Sequence, residues 1–184
     1  MIRRLCAVCW IASFLAVLLP AGQSQNAPAP PTGERIAFPE GYPEKYQVLR
    51  LVDKADKKQV VTVYGNDAAA SIKSTSQLPY PYSSIIVMET SSALTDSQGK
   101  VMLDDKGHYR KDKVLGLHVM RKERGFGQVY GQNRTGEWEY VEFRPDRGYL
   151  TPPEKSSVCA ECHLKAGRQR DFVYRGRLHA GGGN

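Results

Sequence analysis

The amino-acid sequence predicts a mainly β (α+β) domain, in which an antiparallel sheet is accompanied by a few short helices. Apolar and β-branched residues recur in short runs at strand-like spacing along most of the chain. Glycine, asparagine and charged turn signals separate these runs. Helical patterning is confined to two places, one after Asn66-Asp67 and one near the C-terminus. A chain of 184 residues is long enough for one domain with a substantial hydrophobic core and too short for two such domains.

The first half of the domain is expected to begin with a hairpin. Residues 47–52 and 60–64 are apolar or β-branched, and the charged turn 53–58 separates them. Asn66 and Asp67 are good N-cap residues for a short helix through Ile72. Residues 84–90, rich in isoleucine and valine, predict the next strand.

The second half is expected to continue the sheet and to end in a helix. Residues 96–113 are dense in charge and glycine and predict an exposed loop or a small hairpin. Strands are then predicted at 114–121, 128–130 and 137–143, followed by a short helix at 155–166 and an extended segment at 171–174.

Residues 1–24 have the features of a secretory signal peptide. A basic start that includes Arg3 and Arg4 precedes an apolar run ending at Leu19, and small residues suited to cleavage follow. The apolar run is short for a membrane-spanning helix, so we expect cleavage and no span thereafter; an uncleaved anchor is the alternative. Cys6 and Cys9 lie in this segment and receive no function. The remaining chain divides into a Pro-rich leader at 25–35, a domain at 36–178 and a flexible tail at 179–184.

The motif Cys159-Ala160-Glu161-Cys162-His163 is the clearest chemical signal of the chain. Cys-x-x-Cys-His is typical of haem c attachment: the two thiols form thioethers with one porphyrin, and the histidine is the natural proximal ligand of the iron. A disulfide or thiol-redox pair is one alternative. A zinc site is another, but zinc usually takes four protein ligands, and beyond the motif it would need a partner such as His179. We favour one covalently bound haem c.

An export signal and a haem-attachment motif support each other, because thioether formation takes place outside the cytoplasm. We therefore expect a periplasmic protein. The formal net charge of +7 includes the two arginines of the signal peptide, and the remaining basic residues are dispersed, which argues against a nucleic-acid surface. The most basic stretch, 165–177, is suited to an acidic redox partner or to haem propionates, and equally to plain solubility.

Two familiar haem architectures do not fit this chain. Small cytochromes c have an early motif and a methionine ligand well downstream, but no methionine follows Met120 here. Four-helix cytochromes c′ have a late motif, but their long amphipathic heptads are absent from the sequence.

Several short segments, in this order, resemble the cytochrome P460 and cytochrome c′-beta family. They are Val63-Tyr64 leading into Asn66-Asp67-Ala68, the strand from Ser84 to Glu89, Leu115-Gly116-Leu117, Gly136-Glu137-Trp138, the haem motif and Asp171-Phe172-Val173-Tyr174. The resemblance implies a periplasmic, mostly β monohaem protein, with the haem packed against the sheet and attached near the C-terminus. It also implies a tendency to form homodimers.

Two departures from the family pattern concern the distal side of the haem. Hydroxylamine-oxidising members cross-link a lysine of the central strand to the porphyrin, and Met88 occupies that position here. The same enzymes have a distal carboxylate as proton acceptor, and His118 occupies the corresponding position. Met88 or His118 is therefore a candidate sixth iron ligand, and His118 is a candidate distal base for an open iron. Without the resemblance, Met88 is ordinary core filling and His118 an ordinary strand histidine.

The expected function is electron transfer with a periplasmic partner, or binding of small nitrogen oxides at the haem iron. The alternative is an enzyme that oxidises hydroxylamine or consumes nitric oxide, with His118 as proton acceptor. Three aromatic residues are secondary candidates: Trp138 and Tyr140 for packing around the porphyrin or in the core, and Phe126 for capping its distal side.

Overall fold

The computed structural model describes residues 35–175 and residue 178, and these residues contain one six-stranded antiparallel sheet. Each strand pairs with the strand before it, so the order in the sheet is the order in the sequence. The strands are β1 (Gln47–Lys54), β2 (Gln59–Gly65), β3 (Ile85–Ala93), β4 (Lys111–Lys122), β5 (Trp138–Phe143) and β6 (Tyr149–Thr151). The predicted fold class, mainly β with short helices, is confirmed.

The helices are short and lie at the ends of the strands. They are α1 (Tyr42–Lys45), α2 (Asp67–Ala70) and α3 (Ser157–Leu164), with short 3-10 segments at Thr75–Gln77, Gln128–Asn133, Pro153–Lys155 and Arg168–Arg170. The segment Gln128–Asn133 is interrupted by a kink at Gly131. The predicted cap of α2 is confirmed, because Asn66 Oδ1 accepts a hydrogen bond of 3.1 Å from the backbone N–H of Ala69. Among the described residues, no helix is long and apolar enough to cross a membrane.

A hydrophobic core lies on each face of the sheet. Successive residues of a strand point to opposite sides, so each strand contributes side chains to both cores. On one face, which we call the helix face, a core forms around Val63, Ile86, Met120, Trp138 and Tyr140 and includes Ala69 of α2 and Ala160 of α3. On the opposite face, a second core contains Tyr64, Val87, Val119, Val141 and Phe143 and is covered by Ile36 and Tyr42. The N-terminal part of the described chain thus covers one face, and α3 covers the other.

Some details of the sequence prediction are wrong. Residues 128–130 form part of a 3-10 turn, because Gly127 and Gly131 on either side adopt positive φ and break the strand. Residues 171–174 begin with a turn in which Asp171 and Phe172 have φ of 48° and 61°, so they are not extended. Strand β6 was not predicted. The signal peptide at 1–24, residues 25–34 of the leader and the tail at 179–184, including His179, lie outside the described residues.

Candidate haem site

A cavity of about 340 Å³ lies between the helix face of the sheet and α3. All five residues that the sequence singles out line it, namely Met88, His118, Cys159, Cys162 and His163. Most of the other lining side chains are apolar, including Val63, Ile86, Met120, Val158 and Val173. The volume is within the range of protein ligand pockets, and an apolar wall with a few polar groups is their usual composition.

Helix α3 presents the two thiols and the imidazole to this cavity. Ala160, which lies between the two cysteines in the sequence, is fully buried in the core and packs α3 against the sheet. Cys159 and Cys162 are one helical turn apart and therefore lie on the same side of α3. The two cysteines form no disulfide with each other, and burial raises the pKa of the Cys159 thiol to about 12. This direction is opposite to that of the reactive cysteines of thiol-redox pairs, whose pKa is lowered.

The imidazole of His163 is held from one side by the backbone. Its Nδ1 lies 2.7 Å from the carbonyl oxygen of Phe172, which accepts a hydrogen bond from the protonated nitrogen. The turn at Asp171 and Phe172 brings this carbonyl to the end of α3. Burial lowers the pKa of His163, so the ring is neutral and Nε2 retains its lone pair. A histidine ligand of a metal is usually oriented by such a bond to its second nitrogen.

Two tyrosine rings complete the surroundings of His163. The centroid of the Tyr140 ring lies 4.6 Å from that of the imidazole, and the Tyr174 ring contacts the imidazole edge-on at 5.4 Å. The Tyr174 hydroxyl also donates a hydrogen bond of 3.1 Å to the carbonyl oxygen of Cys162. These contacts limit the rotation of the ring about its side-chain bonds, so the backbone and both aromatic rings fix its orientation together.

The sheet side of the cavity contains a row of residues that crosses four strands. Val63 on β2 is opposite Met88 on β3, Met88 is opposite His118 on β4, and His118 is opposite Glu142 on β5. Directly opposed residues of antiparallel strands have their side chains on the same face, about 4.5–5.5 Å apart at Cβ. All four side chains therefore face the cavity at the same level of the sheet.

His118 is paired with a carboxylate. Its Nδ1 lies 2.6 Å from Oε1 of Glu142, and Oε2 of Glu142 accepts a hydrogen bond from the hydroxyl of Thr151 on β6. The hydrogen bond from His118, followed by that from Thr151, lowers the pKa of Glu142 against the opposing effect of burial. The His118 side chain remains 47% exposed, so one edge of the ring is available to the cavity.

The secondary aromatic candidates divide between the cavity and the cores. Tyr140 lines the cavity, whereas Trp138 is fully buried in the core, with its ring 5.7 Å from that of Tyr80. The prediction that Phe126 caps the distal side is wrong. Phe126 packs in the core of the opposite face, where the Arg35 guanidinium lies 4.2 Å above its ring.

Sequence reasoning did not find three groups of this site: Glu142, the carbonyl of Phe172 and the ring of Tyr174. Glu142 lies beside His118 because of the register in which β4 pairs with β5. The alternation of residues along β5 does not reveal that register. The Phe172 carbonyl is positioned by the left-handed backbone of Asp171 and Phe172. Residues other than glycine rarely adopt this conformation, so the sequence contains no clear signal for it.

These residues fit a haem. Two thiols on one side of α3, a neutral imidazole with a free Nε2 and an apolar cavity are the donor set and surroundings that a haem of the c type needs. The fold and this site define the class of protein, a small β-sheet haem protein with a C-terminal Cys-x-x-Cys-His helix.

Comparison with known families agrees with this class. The model of the family described as Cytochrome P460 matches residues 39–175, so the chain belongs to the cytochrome P460 family and is a haem protein of the c type. A search of curated proteins found no similar sequence.

Proposed function

We propose that the protein is a periplasmic monohaem cytochrome, in which Cys159 and Cys162 form thioethers with one haem and His163 is the proximal ligand. The observation that supports this best is the position of the motif within the cavity. Cys159, Cys162 and Nε2 of His163 are available on one side, and Met88 and His118 face them from the sheet. Most of the side chains that line the space between them are apolar.

We propose electron transfer, or binding of small nitrogen oxides, as the role of this haem. A bound haem supplies an iron that changes oxidation state and binds diatomic gases. The protein supplies a fixed proximal imidazole, an apolar pocket and two side chains on the distal wall. Met88 or His118 as sixth ligand would favour an electron carrier, and an iron open on that side would favour gas binding.

The pair formed by His118 and Glu142 favours a second candidate function. A histidine that donates from Nδ1 to a carboxylate can accept a proton at Nε2, as a general base does. This arrangement supports an enzyme that oxidises hydroxylamine or consumes nitric oxide, with His118 as proton acceptor. The candidate stands second because Met88 has no amine for the porphyrin cross-link that hydroxylamine-oxidising relatives use.

Two measurements test the proposal on protein produced with a cytochrome c maturation system. Intact mass should exceed that of the processed polypeptide by one haem, and a mass equal to the bare polypeptide would refute the proposal. The visible spectrum of the ferrous protein, before and after carbon monoxide or nitric oxide, then separates the roles. A low-spin spectrum that gas leaves unchanged indicates a carrier, whereas ready binding by a high-spin form indicates a gas-binding or enzymatic site.

Variants identify the sixth ligand. Met88→Ala and His118→Ala are expected to preserve haem attachment, because neither side chain belongs to α3. If one of them coordinates the iron, only its own replacement converts a low-spin spectrum into a high-spin one. If both variants retain the wild-type spin state, neither side chain is a ligand.

Partners outside the chain also remain proposals. The exposed Lys165 and Arg168 follow α3 directly and are suited to steering an acidic redox protein towards the haem. Homodimerisation is testable by sedimentation of the haem-loaded protein.

A further inference from the structure

Glu142 is buried to a greater degree than its histidine partner. Its side chain is 17% exposed, compared with 47% for His118, and both of its oxygens are engaged. One oxygen lies 2.6 Å from His118 Nδ1, and the other accepts from Thr151 on the neighbouring strand β6. Thr151, which does not line the cavity, therefore fixes the Glu142 carboxylate to the sheet. The carboxylate in turn contacts the His118 imidazole from the side of β5.

The donor and acceptor properties of this pair determine the position of the proton. An ionised carboxylate only accepts hydrogen bonds, so the nitrogen that faces it must be protonated. A neutral imidazole has one N–H, which must then be on Nδ1. The lone pair is left on Nε2. Both oxygens of Glu142 have a hydrogen-bond donor beside them, as in an ionised carboxylate.

We propose that Glu142 is a positioning residue that holds neutral His118 in the Nδ1-protonated form and leaves the Nε2 lone pair for the haem site. This inference rests on the proposed function and specifies the chemistry of the distal wall. Neutral His118 is then a proton acceptor or an iron ligand, and it does not donate a hydrogen bond to a gas bound at the iron. Met88, on the other side of His118 in the same row, offers only a thioether and no ionisable group.

Nitrogen NMR of the haem-loaded ferrous protein tests this inference. The carbonmonoxy form, or the low-spin form if carbon monoxide does not bind, is diamagnetic and suited to the measurement. Only spectra in which the His118 imidazole carries a single N–H are compared. The inference requires the Nδ1 resonance of His118 to be that of a protonated nitrogen and the Nε2 resonance to be that of an unprotonated or iron-bound one.

The variant Glu142→Leu tests whether the carboxylate is the cause. In a form in which His118 does not coordinate the iron, removal of the acceptor should reduce the Nδ1-protonated share of His118 from nearly all of the neutral population to a minor share. The control Glu154→Leu removes an exposed carboxylate just before α3 and should leave the His118 resonances unchanged. A purely structural role for Glu142 would change stability and leave the tautomer as it is.

Two results would overturn the inference. One is a wild-type His118 protonated on Nε2, which requires no variant and is informative even if Glu142→Leu fails to fold. The other is an Nδ1-protonated His118 that Glu142→Leu leaves unaltered in a form in which His118 does not coordinate the iron. Failure of the proposed function is distinguished from both, because it would appear first as an intact mass without haem.

Discussion

Replacement of Lys122 by methionine should destabilise the protein strongly. Lys122 Nζ lies 2.6 Å from Oδ2 of Asp171, and the two side chains are only 8% and 9% exposed. The same Asp171 oxygen accepts a 3.0 Å hydrogen bond from the backbone N–H of Tyr80. Lys122→Met would remove the ammonium group that pairs with the buried Asp171 carboxylate, while the length of the side chain at position 122 is preserved.

Removal of one partner of a buried ion pair typically costs about 3–5 kcal/mol. Since 1.4 kcal/mol is roughly a factor of ten, the folding equilibrium constant should fall by about two to three and a half orders of magnitude. Domains of this kind are stable by only about 5–15 kcal/mol, so the loss is a large share of the total. Urea unfolding of the haem-loaded protein, followed by far-ultraviolet circular dichroism, measures it directly.

Two further variants decide whether the buried charge is the cause. Arg144→Met removes a pair in which the atoms are 3.7 Å apart and the side chains are 51% and 74% exposed, so it should cost about 0–1 kcal/mol. Asp171→Asn, added to Lys122→Met, removes the uncompensated charge and tolerates the left-handed backbone at this position, so it should recover part of the loss. A cost of Lys122→Met no larger than that of Arg144→Met would refute the reasoning.

Three more predictions follow from other contacts. The double variant Cys159→Ala, Cys162→Ala should release all haem on extraction with acidified butanone, whereas the wild-type protein keeps its haem in the protein phase. Asn66→Ala removes the side-chain bonds that cap α2 and should lower the free energy of unfolding by about 1–2 kcal/mol in urea titrations. Burial raises the pKa of Glu89, but the hydrogen bonds from Lys111 and Tyr42 outweigh this effect and lower it overall. The stabilisation from Glu89 is therefore complete above the unfolded-state pKa of about 4.3 and is lost as the pH falls through the folded-state pKa. The free energy of unfolding should fall less steeply on acidification in Glu89→Gln than in the wild-type protein.

Each of these predictions has a result that contradicts it. Haem that stays with a protein lacking both thiols would show that the attachment is not through them. A stability of Asn66→Ala equal to that of the wild-type protein would mean that the cap contributes nothing measurable. Parallel acid profiles for the wild-type protein and Glu89→Gln would show that Glu89 has the same pKa in the folded and unfolded chains.

The sequence predicts a strand correctly where β-branched and apolar side chains continue over the whole length of the strand. Residues 60–64 and 84–90 are β-branched or apolar over a full strand length, and both lie in the sheet. Strand β6 has only three residues before a pair of prolines, which is too short a signal. Residues 128–130 have strand composition, but the glycines around them allow a 3-10 turn, in which the Tyr130 hydroxyl bonds to Ser156.

The site was predictable to the extent that the sequence itself places its residues together. Cys159, Cys162 and His163 are neighbours in the chain, so a short motif is enough to find them. Met88 and His118 were found through resemblance to a family, and the strand register then places them opposite each other. Glu142 could not be found in either way, because its position beside His118 depends on the pairing of β4 with β5.

The consecutive order of the strands has a consequence for assembly. A meander needs no long chain crossing, and contacts between sequence neighbours form quickly. A chain that emerges from its amino end can add each strand to one already in place, so the pocket wall is complete when the two thiols of α3 arrive. We therefore expect the sheet to fold before α3 docks, so that a haem attached to α3, as proposed, meets a pocket wall that has already formed.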